Sequence, residues 1–161
     1  MRRLFIAIEL PPEILNKIAA SVTKIKPKVN GAFVRKEKLH ITLLFVGDPK
    51  LPDGDIINVV KGQPIDRDIE ISGLDAFPSW GKPRLLFIDV KTNLSDVYRG
   101  LCKKLNVREE TSFRPHITLC RIKGDMAAKF EIQTRFDVDE KFRAKKLSLF
   151  DSNFESYKKL Y

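Results

Sequence analysis

The feature that most constrains how this chain folds is an internal repeat that ends, in each half, with the tetrapeptide HITL. The first half runs from LFIAI at 4–8 through a helical pattern to HITL at 40–43. The second half runs from LFIDV at 86–90 through a helical pattern to HITL at 116–119. The chain has two histidines, and each is the first residue of one tetrapeptide. Recurrence of common strand residues does not account for that placement, so we interpret the chain as two copies of one strand–helix–strand unit.

Length and hydrophobic periodicity predict one domain built of strands and helices. We expect a single bilobal domain over 1–161, with pseudo-repeats at approximately 3–80 and 81–161 and the exchange of strands between lobes left open. Apolar, β-branched runs predict strands at 4–9, 39–46, 69–74, 85–90, 116–122, around Phe142 and at 146–150. Apolar residues at helical spacing predict helices that begin near Pro11 and Pro12, at 53–61, after a cap at Thr92 or Asn93, and at 125–132.

The alternation of side chains along a strand places the histidine and the threonine of each tetrapeptide on one face. His40 and Thr42 point the same way, as do His116 and Thr118, while the intervening residues point to a core. If a pseudo-twofold axis relates the halves, the two pairs face each other across a cleft. The alternatives are buried histidines with satisfied hydrogen bonds, and threonines present for their strand propensity.

Two imidazoles on opposite sides of a reacting atom can supply general acid and base catalysis near neutral pH. A neutral histidine accepts a proton and a protonated one donates it to a leaving oxygen, as in-line displacement at phosphorus requires. Threonine hydroxyls and nearby arginines would stabilise the non-bridging oxygens. No cluster of acidic metal ligands is evident, so we expect neither a metal nor another cofactor. A strained cyclic phosphodiester of RNA suits this chemistry.

Charge favours an anionic partner. The net charge is +9, of which residues 1–80 carry +2 and residues 81–161 carry +7. Such an excess is typical of nucleic-acid binding, although many enzymes also have a lysine-rich surface.

Cys102 and Cys120 lack the spacing of a zinc site, and we expect two buried apolar side chains. The apolar start of the chain is cut short by Glu9 and two prolines, which predicts a first strand of a soluble cytoplasmic protein rather than a signal peptide.

A family resemblance that covers essentially the whole chain rests on four stretches: RRLFIAIELP, LHITLLFVGD, FRPHITLCRIK and the closing SLFDSNF…Y, which ends in tyrosine. With the doubled motif, they resemble the 2H phosphoesterases, and within them the RNA 2′,3′-cyclic phosphodiesterases, also called 2′-5′ RNA ligases. One departure is Phe33, where that branch leads us to expect tryptophan. The resemblance implies an α+β, bilobal fold in which two pseudo-twofold related lobes line a central groove with antiparallel sheets and carry helices outside.

The resemblance also implies an activity and roles for the motif residues. It implies hydrolysis of an RNA terminal 2′,3′-cyclic phosphate to a 2′-phosphomonoester, and a slower, reversible joining of RNA ends through a 2′-5′ bond. His40 would be the proton donor to the leaving 3′ oxygen, and His116 the proton acceptor that activates water. Thr42 and Thr118 would hold the phosphate. The division between donor and acceptor comes from the resemblance, because the residues alone do not distinguish the two histidines.

Residues that flank the motifs are candidates for substrate binding. Arg114 lies two residues before His116 and is expected to reach the phosphate, with a surface charge as the alternative. Arg121 lies three residues after Thr118, on the opposite strand face unless a bulge intervenes. Three aromatic residues are candidates for base stacking, with core packing as the alternative: Phe5, Phe45 and Phe113. A basic run is a candidate for the RNA backbone, with a lysine-protected strand edge as the alternative: Lys141, Arg143, Lys145 and Lys146.

Two other functions fit the same residues. An RNA-binding module without significant turnover would use the groove and its charge, but it has no need of two groups that titrate near neutral pH. A cyclic phosphodiesterase acting on small nucleotides would use the same histidines, although the net charge favours a polymer. The expected partner is RNA with 2′,3′-cyclic phosphate ends, tRNA fragments among them, and we expect a monomer that binds no membrane.

Overall fold

The structure is a computed structural model that describes residues 1–124, 126, 129–153 and 156–161. Within these residues, two antiparallel sheets and four α-helices form an α+β fold. The strands are β1 (Leu4–Glu9), β2 (Gly31–Phe33), β3 (His40–Gly47), β4 (Arg67–Phe77), β5 (Leu85–Val90), β6 (His116–Ile122), β7 (Asp139–Ala144), β8 (Ser148–Asp151) and β9 (Lys158–Lys159). The helices are α1 (Pro12–Ile25), α2 (Asp53–Gly62), α3 (Ser95–Leu105) and α4 (Lys129–Arg135), and short 3-10 helices precede β2 and β3.

Each sheet contains strands from both halves of the sequence. The first sheet has the order β3-β1-β8-β9, and the second has the order β2-β6-β5-β4-β7. Neighbouring strands are antiparallel throughout the described sheets. Each HITL strand, β3 or β6, pairs with the first strand of its own half, and the two HITL strands also contact each other. The expected α+β fold with two antiparallel sheets is confirmed.

Both HITL strands carry a β-bulge three residues after the histidine. Consecutive residues of β1 pair with the residues on either side of Leu43, which is therefore the extra residue of β3. Consecutive residues of β5 pair in the same way around Leu119, the extra residue of β6. A bulge shifts the alternation of side chains by one residue. Phe45 and Arg121, each five residues after a histidine, consequently return to the face on which the histidines lie.

The pairing register relates the halves at a spacing that differs from the sequence match. Glu9 pairs with His40, and Asp89 pairs with His116, so equivalent positions of β1 and β5 lie 80 residues apart. The match of LFIAI to LFIDV has a spacing of 82 and is therefore two residues out of register. The two segments have similar sequences because both are apolar strands. The histidines, by contrast, mark equivalent positions of the two halves. The limits of the pseudo-repeats stay a prediction.

The helices and the sheets share one hydrophobic core. The helices pack through one apolar face, which in α1 includes Ile14, Ile18 and Ile25. Ile41 and Ile117, which follow the two histidines, are completely buried. The predicted alternation within both HITL motifs is thus confirmed, with the apolar residues in the core and the polar ones toward the groove. No helix within the described ranges is long and apolar enough to cross a membrane.

Several element boundaries differ from the sequence prediction. The fourth strand extends over Arg67–Phe77 rather than 69–74, because it pairs with β5 on one side and with β7 on the other. The last helix is Lys129–Arg135 rather than 125–132, and residues 125, 127 and 128 lie outside the described part of the chain. The short strands β2 and β9 were not predicted, because two or three residues show no alternation.

The predicted cap of α3 is confirmed in part, because the side chain of Asn93 bonds the first backbone N–H of the helix although the N-cap position itself is Leu94. The residue that precedes the helix is Leu94, and it makes no side-chain cap. Asn93 instead accepts a hydrogen bond from the backbone of Ser95, just inside the helix. The hydroxyl of Thr92 accepts one from the backbone of Glu70 and so joins the segment before the helix to strand β4.

Candidate active site

His40 begins β3, and hydrogen bonds hold its ring at both nitrogens. Nδ1 lies 2.7 Å from the carbonyl oxygen of Lys38, and because a carbonyl only accepts, Nδ1 carries the proton. Nε2 lies 2.7 Å from Oγ1 of Thr42. Phe5 stacks on the imidazole with ring centroids 4.9 Å apart, and Tyr157 meets it edge-on at 5.7 Å. In the neutral imidazole, Nε2 is therefore the nitrogen that accepts a proton.

His116 begins β6 in a matching arrangement. Its Nδ1 donates to the carbonyl oxygen of Arg114, 2.8 Å away. The ring meets Phe87 edge-on, with centroids 5.1 Å apart. In both motifs the acceptor is the carbonyl of the residue two positions before the histidine, so the backbone fixes the same tautomer twice. Nε2 of His116 has no hydrogen-bond partner within the residues that the structure describes.

The two motifs meet at a groove between the sheets. A cavity of about 240 Å³ is lined by residues of both motifs, among them His40, Thr42 and Thr118. A second cavity of about 170 Å³ shares Thr42 and Phe45 with the first and is lined by His116. The structure thus brings the four motif residues to one groove, with one histidine in each of two adjoining cavities.

Phe45 and Arg121 extend this groove because of the bulges. Both side chains line the larger cavity. Phe45 is 72% exposed, unusual for a large apolar residue, and Arg121 is exposed and forms no ion pair with any described residue. The condition that sequence reasoning set for Arg121, an intervening bulge, is met by Leu119. One equivalent position therefore carries an aromatic ring and the other a guanidinium.

The protonation of His40 depends on its burial. Burial lowers the pKa of His40, the hydrogen bond to the Lys38 carbonyl opposes that effect, and the charge of His116 lowers the pKa further. At neutral pH, these surroundings therefore favour a neutral His40. A bound anion would reverse this balance, because an opposite charge stabilises the imidazolium form.

Arg114 is engaged with two carboxylates. Its Nε and Nη2 donate to Asp89 at 3.2 Å and to Asp75 at 3.0 Å, and its guanidinium lies 5.0 Å from the centre of the Phe87 ring. Burial alone would raise the pKa of Asp89, but hydrogen bonds from Arg114 and Lys91 outweigh it and the pKa is lowered. Arg114 lines the cavity beside His116, yet its charge is offset by Asp75 and Asp89 rather than directed to the threonines.

The other aromatic candidates for base stacking are occupied by the protein itself. Phe5 is buried beneath His40. Phe113 stacks on Tyr98 with ring centroids 4.0 Å apart and planes nearly parallel. Phe33, which stands where the family resemblance leads one to expect tryptophan, is partly buried in β2 against the core. Among the candidates named from the sequence, Phe45 has the open face.

Two residues of the basic run, Lys141 and Arg143, lie on strand β7 at the edge of the second sheet, and Lys145 and Lys146 follow that strand. Lys141 lies 3.9 Å from Glu70, and Arg143 lies 2.9 Å from Asp66 and 3.4 Å from Asp68. These pairs lie on the side of the sheet order opposite β2 and β6. The arrangement is that of a charged strand edge, the alternative that sequence reasoning had left open.

Two side chains at the site were missed from the sequence. Tyr157 lies edge-on to His40, and the Nζ of Lys38 lies 5.0 Å from the Tyr157 ring centre. Tyr157 comes from the segment before β9, far from His40 in sequence. A signal for it existed only in the family resemblance, which extended to the closing stretch that ends in tyrosine.

Possible metal ligands and thiols are the other reactive side chains of the described region. No group of three or more His, Cys, Asp or Glu side chains is placed to hold a metal ion within those residues. Cys102 and Cys120 are free and buried, as expected. Burial raises the pKa of the Cys120 thiol to about 11, so this thiol stays protonated and unreactive near neutral pH.

Sequence comparison identifies the family. Residues 8–87 match the family described as LigT like Phosphoesterase. The chain is 34% identical over 130 positions to the RNA 2′,3′-cyclic phosphodiesterase of Archaeoglobus fulgidus, covering 75% of this chain and 73% of that protein. It is 32% identical over 162 positions to the RNA 2′,3′-cyclic phosphodiesterase of Methanocaldococcus jannaschii, covering 93% of this chain and 91% of that protein.

Solved structures share the fold. A crystal structure of a Thermus thermophilus protein matches with a TM-score of 0.80 and 23% identity, covering 99% of this chain and 95% of that one. Escherichia coli LigT complexed with 3′-AMP matches with a TM-score of 0.78 and 20% identity, covering 99% and 95%. These matches show the fold, and the two sequence relatives, which cover 75% and 93% of the chain at more than 30% identity, show that the protein belongs to the LigT-like phosphoesterase family of 2H phosphoesterases.

Proposed function

We propose that this protein hydrolyses the terminal 2′,3′-cyclic phosphate of RNA to a 2′-phosphomonoester by acid–base catalysis between His40 and His116. The observation that carries the proposal is the doubled site, in which each histidine donates Nδ1–H to a backbone carbonyl, so that Nε2 is the nitrogen that can exchange a proton. The relatives from Archaeoglobus fulgidus and Methanocaldococcus jannaschii bear the name of this activity. The net charge of +9 supports an anionic substrate.

The proposed reaction is an in-line displacement at phosphorus. Water attacks on the side of His116, whose Nε2 takes the proton of the water. The bond from phosphorus to the 3′ oxygen breaks on the side of His40, whose Nε2 donates a proton to that oxygen. One phosphorus–oxygen bond forms and one breaks, and the product is a 2′-phosphate with a free 3′ hydroxyl. The two histidines finish with exchanged protonation states, which solvent resets.

Three groups would stabilise the phosphorane-like transition state. The hydroxyls of Thr42 and Thr118 line the same cavity from opposite sheets and can donate to the non-bridging oxygens. Arg121 lines that cavity too, without an ion pair to any described residue, and its guanidinium can offset the charge that develops on those oxygens. Arg114 acts differently in this scheme, since its carbonyl oxygen orients His116 while its guanidinium stays with Asp75 and Asp89.

The donor role of His40 is compatible with its lowered pKa in the empty site. The substrate carries a negative phosphodiester, which would stabilise the imidazolium form next to it and raise the pKa again. His40 would then become protonated as substrate binds, and the proton would be available for the leaving oxygen. The hydroxyl of Thr42, 2.7 Å from Nε2, can accept a hydrogen bond from the protonated ring as readily as it donates to the neutral one.

The flanks of the motifs give the nearly symmetric site a direction. Phe45 offers an exposed ring on the side of the first motif, and Arg121 offers a charge at the equivalent position of the second. A base stacked on Phe45, with the phosphate on Arg121, would hold the ribose in one orientation. This orientation sets the 3′ oxygen beside His40 in our proposal.

The same site supports a slower, reversible 2′-5′ joining of RNA ends. A 5′ hydroxyl of a second RNA end would replace water at His116, lose its proton to that histidine and attack phosphorus. The 3′ oxygen would leave with a proton from His40, and the new bond would be a 2′-5′ phosphodiester. Water is far more abundant than RNA ends, so hydrolysis would dominate. An RNA-binding role without turnover would not require the paired, identically oriented histidines.

The test is chromatography of an oligoribonucleotide that ends in a 2′,3′-cyclic phosphate after incubation with the protein in excess EDTA. We expect conversion to the 2′-phosphate, identified against 2′- and 3′-phosphate standards. A 3′-phosphate product would reverse the orientation of the substrate and the roles of His40 and His116. No conversion, or conversion only after a divalent ion is restored, would contradict the proposed function in favour of RNA binding or of metal-dependent chemistry.

A further inference from the structure

We propose that the groove continues past Arg121 to a second nucleotide site, in which Phe77 stacks on the base that precedes the cyclic end while Lys82 and Arg84 bind the phosphate that joins the two nucleotides. This inference rests on the proposed function and specifies its substrate as a strand of two or more nucleotides. It assigns roles to side chains on β4 and on the loop between β4 and β5, outside the two HITL motifs.

The strand register places Phe77 on the groove face of the second sheet. Phe77 pairs with Leu85 on β5, and Leu85 pairs with Arg121 on β6. Directly paired residues of neighbouring strands lie on the same face of a sheet. The three side chains therefore form one row that begins at the reaction cavity. Two strand spacings separate its ends, so Phe77 lies roughly 10 Å from Arg121 across the sheet.

The first sheet contains the equivalent row, and there it is covered. Phe150 on β8 pairs with Phe5 on β1, which pairs with Phe45 on β3. By register, Phe77 holds the place in its sheet that Phe150 holds in the first. The ring of Tyr157 packs on this first row, 5.1 Å from Phe5 and 6.4 Å from Phe150. Within the described residues, no ring packs on Phe77 in the same way.

Phe77 is consequently open to solvent beside a large cavity. Its side chain is 60% exposed, although phenylalanine at a paired strand position is usually covered. The cavity has a volume of about 710 Å³ and is lined by Phe77, Leu85, the loop residues Lys82 and Arg84, and Arg121. Arg121 also lines the reaction cavity, so this large cavity and the reaction cavity adjoin at the Arg121 side chain.

The charges of this second cavity are available to a ligand. Lys82, Arg84 and Arg121 form no ion pair within the described residues, in contrast to Arg114, whose guanidinium is held by two carboxylates. Trp80 lies in the same loop, but the Nζ of Lys129 sits 5.4 Å from its ring centre and covers it. The end of β4 and the loop after it thus present one open aromatic face and two available cations next to the phosphate position, a combination typical of single-stranded nucleic-acid binding.

The test compares two substrates on the same protein: a nucleoside 2′,3′-cyclic phosphate and a dinucleotide ending in a 2′,3′-cyclic phosphate. We expect wild-type kcat/KM to be about tenfold or more higher for the dinucleotide, from one stacked base and one bound phosphate. Phe77→Ala should lower kcat/KM for the dinucleotide by about tenfold and leave kcat/KM for the mononucleotide unchanged. Phe77→Tyr should restore the preference for the dinucleotide. The double variant Lys82→Ala with Arg84→Ala should lower kcat/KM for the dinucleotide alone, and kcat/KM for the dinucleotide should then depend less on salt concentration.

Phe130→Ala is the matched aromatic control, because Phe130 is 82% exposed on α4 and does not line the cavity. Lys103→Ala on α3 is the matched charge control. Equal rates of wild-type protein on both substrates, or equal losses on both in Phe77→Ala, would overturn the second site while the proposed function stands. If neither substrate turns over, the proposed function fails, and the second site is then tested by calorimetric binding of the 2′-phosphorylated mononucleotide and dinucleotide. Equal affinities of the wild-type protein for the two would overturn the second site. Tighter binding of the dinucleotide that is lost in Phe77→Ala would support it.

Discussion

Phe45 and Arg121 occupy equivalent positions of the two HITL strands, each five residues after a histidine and each returned to the groove by a bulge. The backbone at these positions is nearly the same, but the side chains differ in kind. A site whose two HITL strands carry matching bulges thereby becomes chemically one-sided. That difference gives the groove an aromatic end and a cationic end.

Replacing these two residues should have different kinetic effects. Arg121→Ala should lower kcat by about 100-fold, because a guanidinium on the phosphate gains strength as charge develops in the transition state. Phe45→Ala should raise KM by about tenfold and leave kcat within about threefold, because stacking stabilises the bound substrate and the transition state alike. Steady-state kinetics on a cyclic-ended oligoribonucleotide check both. The same change in kcat for both variants would contradict the assignment of a phosphate end and a base end.

The pKa of His40 should rise when the site is filled. Burial lowers the pKa of His40 below the ordinary value for histidine, so its neutral form is favoured before substrate binds. Because the neutral form is favoured there, a bound phosphate has to move the pKa upward for His40 to act as donor. Nuclear magnetic resonance of the two ring signals, one for each histidine of the chain, measures this with and without a nucleoside 2′-phosphate. An unchanged or lowered His40 pKa in the complex would assign the donor role to His116.

Gly31→Ala should disturb Arg121 from the neighbouring strand. A Cβ on Gly31 would lie 2.5 Å from the carbonyl oxygen of Arg121 and 2.5 Å from Sγ of Cys120, too close for β2 and β6 to keep their pairing. Overpacking of this kind costs about 1–3 kcal/mol in the free energy of unfolding. Urea denaturation measures that cost, and kcat should fall as Arg121 shifts.

Gly54→Ala is the control for that experiment. A Cβ on Gly54, in helix α2, meets no atom within 4 Å, so this variant should be as stable as the wild-type protein or slightly more stable. Equal stabilities of the Gly31→Ala and Gly54→Ala variants would show that the contact between β2 and β6 is looser than described.

The parts of the site that sequence could predict are those set by local rules. Strand alternation places His40 and Thr42 together from their spacing alone, and the same holds for His116 and Thr118. The bulges at Leu43 and Leu119 could not be predicted, because both lie in ordinary apolar runs and arise from pairing with another strand. The face on which Arg121 lies depended on that pairing.

Long-range placement accounts for the remaining differences. Arg114 was expected at the phosphate, but Asp75 and Asp89 come to it from two neighbouring strands, which no local pattern reveals. Tyr157 reaches His40 only because the end of the chain pairs beside β1 in the first sheet. These contacts follow from sheet order, and sheet order follows from the whole chain.

The most direct test of the account is kcat for His40→Ala, His116→Ala and the double variant on a cyclic-ended oligoribonucleotide, with circular dichroism as the check on folding. Each single replacement should lower kcat by at least about 100-fold, since each removes one of two proton transfers in one transition state. The double variant should be little worse than the worse single variant, because acid and base act as a unit. A folded single variant with near wild-type kcat would contradict catalysis by the two histidines.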